Sequence, residues 1–514
     1  MKIKYIWLFT LLIGFISCDE VESPIPEAEA LPELTSGSAD FSNFVAVGAS
    51  YTAGFSDGAL FKAGQENSFT NMLSQQFAKV GGGAFNQPLM NDNIGGLLIG
   101  GMPNPRFQPR LFFNGAGPVR LPATPTTEAT SVLSGPFQNL GIPGAKSFHF
   151  LFDGYGNPAN LALGLANPYY VRIATSPTST VLNDAVAQNP SFFTLTFLGG
   201  NDFLGHATSG ADDSNPLTPV DGPAGVGFSA SYTAVVNALT ANGAKGVITT
   251  LPDLADIPFF TTVPNNALVL DAATAAQLTG VFQAVSGIFL QGAILQGVPP
   301  AQAQALAAQY AITFNEGPNR WIIDVPVTQT NPLGFRQMTE EELLVLSIDQ
   351  AALAQGYGTV ALTPEVLQVL GLLQQGGTPT PQQAGLVLAA VNGIDDKDAL
   401  DSDEITEIQT AIDGYNATIE SIASSNENIA LVDLNQLLKD VVNGVNFDGF
   451  NLTSSLVTGG TFSLDGIHLN ARGYALVAKT FLKAIDETFG SNFIESGNVP
   501  KASNFPTNYS PTLQ

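Results

Sequence analysis

Ser50 stands in the segment Gly48-Ala49-Ser50-Tyr51-Thr52-Ala53-Gly54, directly after the apolar run Phe44-Val45-Ala46-Val47. A hydroxyl at the carboxyl end of a first parallel strand, with backbone N–H groups nearby, lies where open α/β sheets bind ligands and where a serine nucleophile can work. Serine is also a common helix N-cap, so this segment alone leaves both roles open. Far along the chain comes Asp465-Gly466-Ile467-His468. A carboxylate three residues before a histidine on a turn can reach the Nδ1 side of the imidazole and hold the tautomer whose Nε2 accepts a proton. The chain has three histidines, and this one comes with its own orienting carboxylate. Acyl transfer also needs donors for the oxyanion. Asn139-Leu140-Gly141-Ile142-Pro143-Gly144 reads as a strand end running into a turn that can present a backbone N–H, and Gly199-Gly200-Asn201-Asp202 follows an apolar run with a side-chain amide. Such donors are worth roughly 3 to 4 kcal/mol each in comparable hydrolases, although each segment read alone is a tight turn.

These residues need elements to position them. Apolar runs at 43–48, 192–198, 246–251 and 429–434 are each bounded by Gly, Pro, Asn or Asp, and helix-capable stretches such as 68–80 lie between them. Uninterrupted apolar strands alternating with helices predict a parallel sheet covered on both faces, an α/β fold. Asp401 followed by Glu404 predicts a capping-box start for a helix running to about residue 422, and 470–489 reads as a terminal amphipathic helix. Residues 81–135, rich in Gly, Pro and Asn, predict a long irregular excursion with a hairpin, the kind of segment that forms sites. Residues 265–392 are rich in Ala, Leu, Gln and Gly and carry no charge between Asp271 and Glu316, which predicts an inserted, mostly helical subdomain. It either adds core as a packed cap or acts as a lid, and the lid reading places it over the carboxyl ends of the strands, where it supplies part of an acyl pocket. Gln283, Gln291, Gln296 and Pro299-Pro300 argue against a membrane span there. Residues 395–404 (DDKDALDSDE) match no EF-hand register and read as a solvated acidic loop with a helix cap.

Taken in order, Gly48-Ala49-Ser50-Tyr51, residues 139–144, Gly199-Gly200-Asn201-Asp202 and Asp465 to His468 resemble the four sequence blocks of the GDSL or SGNH hydrolases. The resemblance spans about residues 44–489 and implies a flavodoxin-like three-layer α/β/α fold with esterase or lipase activity. It implies that Ser50 is the nucleophile and first oxyanion donor, that Gly144 gives the second donor through its N–H and Asn201 the third through its side chain. Asp465 and His468 then complete the triad, and no cofactor or metal is needed. Ala49 and Tyr51 stand where the family has Asp and Leu. On this reading the hydrolase domain is 41–264 with 393–490, interrupted by the insertion and followed by a tail at 491–514.

The amino terminus bears on location. Lys2 and Lys4 precede an uncharged apolar run from residue 5 to 16, too short to span a bilayer as a mature anchor, and then come Ser17 and Cys18. Phe15-Ile16-Ser17-Cys18 resembles a bacterial lipobox, which implies cleavage after residue 17, lipidation of Cys18 and attachment in the cell envelope, at the outer membrane on its periplasmic or outer side. Residues 18–40 are acidic and proline-bearing without Lys or Arg, the composition of an extended tether. With 18 basic against 44 acidic residues the formal charge is -26, the wrong sign for neutralising nucleic-acid phosphates, so nucleic acid is excluded as the main partner. One cysteine excludes a disulfide framework and a Cys-built zinc site. The expected partner is a small-molecule or lipid ester, with the membrane contacted through Cys18. Beyond the signal sequence there is one tryptophan, Trp321, while the whole chain has 34 phenylalanines, which favours an apolar acyl or aryl ester over a carbohydrate acetyl ester. A non-catalytic binding lipoprotein on the same scaffold is the reading from a different class.

Overall fold

Five short strands, β1 (Phe44–Gly48), β2 (Asn139–Gly141), β3 (Phe192–Thr196), β4 (Lys245–Thr249) and β5 (Ile429–Val432), form the central sheet of the computed structural model, which describes residues 31–514. Cys18, the signal sequence and the first part of the tether lie outside the described residues. The sheet order is β5-β4-β3-β1-β2 with every neighbouring pair parallel. All five residues of β1 and of β3 are buried, as expected for strands covered on both faces. Numbered along the chain this is the order 2-1-3-4-5, so the winding direction reverses at β1.

The helices that cover the sheet fall into two groups. After the single-turn α1 (Ser50–Ala53) come α2 (Phe69–Phe77), α3 (Val181–Val186), α4 (Gly200–Ala207) and α5 (Phe228–Thr240). Within the insertion lie α6 (Ala272–Leu295) and α7 (Pro364–Gln374), and after it α8 (Ser402–Ser425) and α9 (Ala471–Phe489). In one group α9 packs on α2, with the Phe481 and Phe69 rings 5.0 Å apart. Phe192 of β3 meets Phe489 edge-on at 5.9 Å, and Phe44 of β1 meets Phe77 of α2 at 5.0 Å. In the other group α5 packs with α3 and α8, and Phe228 lies 4.2 Å from Tyr415.

The helix ends are written locally. Asp401 accepts the Glu404 N–H at 3.0 Å while Glu404 accepts the Asp401 N–H at 2.7 Å, the expected capping box, and α8 runs three residues past the predicted end. Asn470 accepts the Gly473 N–H and starts α9. Along α9, Tyr474, Val477, Ala478, Phe481, Leu482, Ile485 and Phe489 are all buried, a spacing of three and four that lays one apolar face on the sheet.

The structure refines the organisation in three places. The tether stops short of residue 40: Thr35 N–H donates to Asn492 and Ser38 N–H to the Phe489 carbonyl, so the chain is already docked on the end of α9. The tail is docked too, because Arg110 donates to the Ser510 and Leu513 carbonyls and Tyr509 is buried against Phe61. The insertion is not simply helical. Ladders pair Leu268–Leu270 with Gly317–Asn319, Ile322–Asp324 with Phe335–Gln337 and Thr359–Val360 with Val391–Asn392, and a further ladder from Leu343–Leu344 to Ala399–Leu400 carries its boundary past residue 392. Helix α6 is 24 residues long and apolar enough to cross a membrane by length and composition. Its Val281, Phe282, Val285 and Ile288 instead pack with Val366, Val369 and Leu370 of α7 in a core belonging to the insertion.

Candidate active site

Strand β1 lies between β2 and β3, and Ser50, Gly144 and Asn201 follow the carboxyl ends of those three neighbours. Gly48 pairs with Gly141 on one side and Thr196 on the other, so the three strand ends are level. Gly48 has φ +152°, and a Cβ there would lie 2.4 Å from the Thr196 carbonyl oxygen, so the sharp exit into Ser50 requires glycine. Ser50 is the first residue of α1. Ala49 occupies the cap position and no side chain caps this helix, so the Ser50 hydroxyl is not used as an N-cap.

That hydroxyl faces a histidine 418 positions away. Ser50 Oγ is 2.8 Å from His468 Nε2, and His468 Nδ1 is 2.9 Å from Asp465 Oδ2. The Asp465 carboxylate also accepts N–H groups from Ile467, His468 and Gly58 at 2.9, 2.8 and 2.7 Å and the Ser463 hydroxyl at 3.0 Å. Burial pushes its pKa up, but the His468 imidazole beside it and the converging donors outweigh this and hold it well below the usual carboxylate range. An ionised carboxylate can only accept, so Nδ1 carries the imidazole proton and Nε2 accepts from Ser50. The arrangement can deprotonate the serine and stabilise the imidazolium that results.

On the other side of the serine, the Ser50 and Gly144 N–H groups donate to no protein atom among the described residues. The Asn201 amide spends one N–H on the Ala145 carbonyl at 2.9 Å and retains its second. Gly144 has φ +80°, and a Cβ there would touch only Asn167 at 3.9 Å, so conformation rather than space calls for glycine. Ser50, Gly144, Asn201 and His468 all border one cavity of about 240 Å³. Arg106, Phe107 and Gln108, from the excursion over 81–135, border it too, and that excursion carries two small hairpins, Leu98–Ile99 with Met102–Pro103 and Leu111–Phe113 with Pro118–Arg120. A second cavity of about 560 Å³ shares Arg106, Phe107, Pro143 and Gly144 with the first. No residue of 265–392 borders either cavity, so the insertion does not supply the pocket expected of it. Part of its apolar surface closes in a core of its own, around Val281, Phe282 and Val285. It reaches the back of the His468 turn, where Leu346 N–H donates to the Phe259 carbonyl and Phe259 N–H to that of Gly466.

Several positioning residues escaped the sequence reading. Tyr51 donates its hydroxyl to the Ile467 carbonyl at 2.8 Å and stacks on Phe197 at 4.3 Å, fixing the His468 turn against α1. Burial, aided by Asp465, pushes the Tyr51 phenol up, so it stays a neutral donor. Asp202 is fully buried and accepts the Ser147 N–H and hydroxyl at 2.8 and 2.6 Å, locking the Gly144 turn to α4. Asn167 donates to the Pro143 carbonyl at 2.7 Å from behind the same turn. Asp57 is buried beside Asp465, accepts the Leu464 N–H at 3.0 Å through Oδ1 and leaves Oδ2 without a partner. Its side chain carries no mark in the sequence that separates it from a solvated turn residue. Among the described residues no group of three His, Cys, Asp or Glu is placed to hold a metal ion, and in the acidic loop Asp395 and Asp398 pair with Lys397.

Comparison with known proteins found no matching family model, no matching curated protein and no matching solved structure.

Proposed function

We propose that the chain is a serine ester hydrolase of the GDSL or SGNH type on a flavodoxin-like three-layer fold, held at the bacterial envelope through a lipidated Cys18. Ser50 Oγ attacks the acyl carbonyl while its proton passes to His468 Nε2, and Asp465 stabilises the imidazolium. The negative charge that develops on the carbonyl oxygen is taken by the N–H groups of Ser50 and Gly144 and by the second N–H of Asn201. His468 then gives its proton to the departing alcohol. Water enters and attacks the acyl carbon while losing a proton to the same nitrogen, and His468 passes that proton to Ser50 Oγ as the acyl–oxygen bond breaks and the acid leaves. The observation that carries this reading is the unbroken chain from Asp465 through His468 to a Ser50 hydroxyl not used for capping, beside two N–H groups on one cavity that have no partner among the described residues. The test is hydrolysis of p-nitrophenyl esters by Ser50→Ala and His468→Ala. Each should lose roughly 10⁴-fold or more in kcat, and the double variant should lose little further, because the residues act as a unit. Near wild-type hydrolysis by folded Ser50→Ala protein would end the enzymatic reading.

A further inference from the structure

His149 plays no part in the chemistry above, yet it borders the 560 Å³ cavity that adjoins the nucleophile. Its Nδ1 accepts the Lys146 backbone N–H at 3.0 Å, and its ring stacks on Tyr155 at 4.4 Å and 12°. A backbone N–H can only donate, so Nδ1 must present its lone pair and the neutral ring must carry its hydrogen on Nε2. Burial, with Lys146 adding to it, pushes the His149 pKa down to about 4, which keeps the ring neutral at ordinary pH. Among the described residues Nε2 has no hydrogen-bond partner, and it is not among the side-chain atoms sealed from solvent. The cavity walls combine the apolar side chains of Phe107, Phe148, Phe152 and Leu165 with the polar ones of Asn104, Arg106 and Asn167. A fixed polar donor set beside aromatic walls is a pattern by which small-molecule sites orient a ligand.

The triad says which part of the ester the chamber receives. The leaving alcohol takes its proton from His468 Nε2 and so departs on the His468 side. His468 borders the 240 Å³ cavity and not the larger one, which begins beyond Gly144, the donor to the carbonyl oxygen. The acyl group therefore points into the larger chamber, and an acetyl group would leave it nearly empty. We propose that this chamber is the acyl pocket and that His149 Nε2–H selects aromatic acyl groups bearing an oxygen acceptor, such as a ring methoxy or hydroxyl group. The proposal rests on the serine hydrolase reading. Aromatic walls favour a flat ring through edge and offset-stacked contacts, and the donor distinguishes an oxygenated ring from a bare one.

The test has two readouts on the full chain. In the first, the ratio of kcat/KM for p-nitrophenyl 4-methoxycinnamate over p-nitrophenyl cinnamate is measured in wild type, His149→Phe and His149→Gln. The wild type favours the methoxy ester, His149→Phe keeps the ring but loses the donor and lowers the ratio about 3- to 10-fold, and His149→Gln, with its amide N–H, restores part of it. A ratio unaffected by His149→Phe overturns the proposal. In the second, binding of 4-methoxycinnamate and cinnamate is measured calorimetrically in Ser50→Ala protein with and without His149→Phe. Selective binding lost with His149, when the wild-type chain hydrolyses no ester, would sustain the pocket while removing the enzyme. Ester hydrolysis without His149-dependent binding or selectivity would do the reverse.

Discussion

Asn201 and Asp57 show how two polar side chains near one serine carry different kinds of consequence. Asn201 retains one amide N–H toward the cavity, so it matters most when the carbonyl oxygen gains charge. Asn201→Ala should lower kcat on the order of 10²-fold with a much smaller change in KM, and steady-state kinetics with kcat unchanged would remove it from the oxyanion site. Asp57 acts on stability. Burial, opposed by the Leu464 N–H and reinforced by Asp465, pushes its pKa up to about 7, in keeping with the orphaned Oδ2. Between the ordinary carboxyl value near 3.9 and about 7, the folded protein keeps a proton that the unfolded chain has released. Stability from this group is therefore lost as pH rises through that window. Asp465 works in the opposite sense, since its lowered pKa gives stability that is lost as the solution is acidified. Urea unfolding of Asp57→Asn against wild type should favour the variant by up to a few kcal/mol more at pH 7.5 than at pH 4.5. A pH-independent difference would mean that Asp57 is not held protonated. The triad residues were legible because Asp465 and His468 are three residues apart and Ser50 ends a strand, whereas the Tyr51 hydroxyl meets a carbonyl 416 positions away and no local pattern announces such a contact.

Elements were legible where their signals are local. The capping box at Asp401 and Glu404, the terminal helix beginning at Ala471 and the apolar strands all appear within a residue or two of their predicted places. The insertion was legible as an insertion but not in its placement. An uncharged stretch shows that apolar faces must be buried, and it does not say against what. Here Phe282 and Val285 of α6 find Val369 and Leu370 of α7, so the faces close on each other instead of on the site. The excursion over 81–135, whose Gly and Pro content hides its contacts, supplies the cavity wall through Arg106 and Phe107. Replacing residues 265–392 with a short linker should therefore leave the preference among acyl esters of different length unaltered. A changed chain-length profile would show that the insertion reaches substrate in solution.

At the scale of the whole molecule, the 2-1-3-4-5 order explains why residues spread over more than four hundred positions converge. The winding reverses at β1, and the site occupies the crevice at the ends of β2, β1 and β3. Both ends of the described chain are docked on this body, through Thr35 and Ser38 at one end and Tyr509 and Ser510 at the other. Upstream of it, Cys18 is the sole cysteine, and Cys18→Ser should abolish incorporation of labelled fatty acid by the full chain in cells. Persistent labelling would place the anchor elsewhere. The central claim is that Ser50 is a nucleophile activated by His468, and covalent labelling by a fluorophosphonate probe, read by peptide mass spectrometry, tests it most directly. The account predicts one adduct, on Ser50, that disappears in Ser50→Ala and forms at least 10²-fold more slowly in His468→Ala. Labelling at another serine, or none at Ser50 in protein shown to be folded, would contradict it.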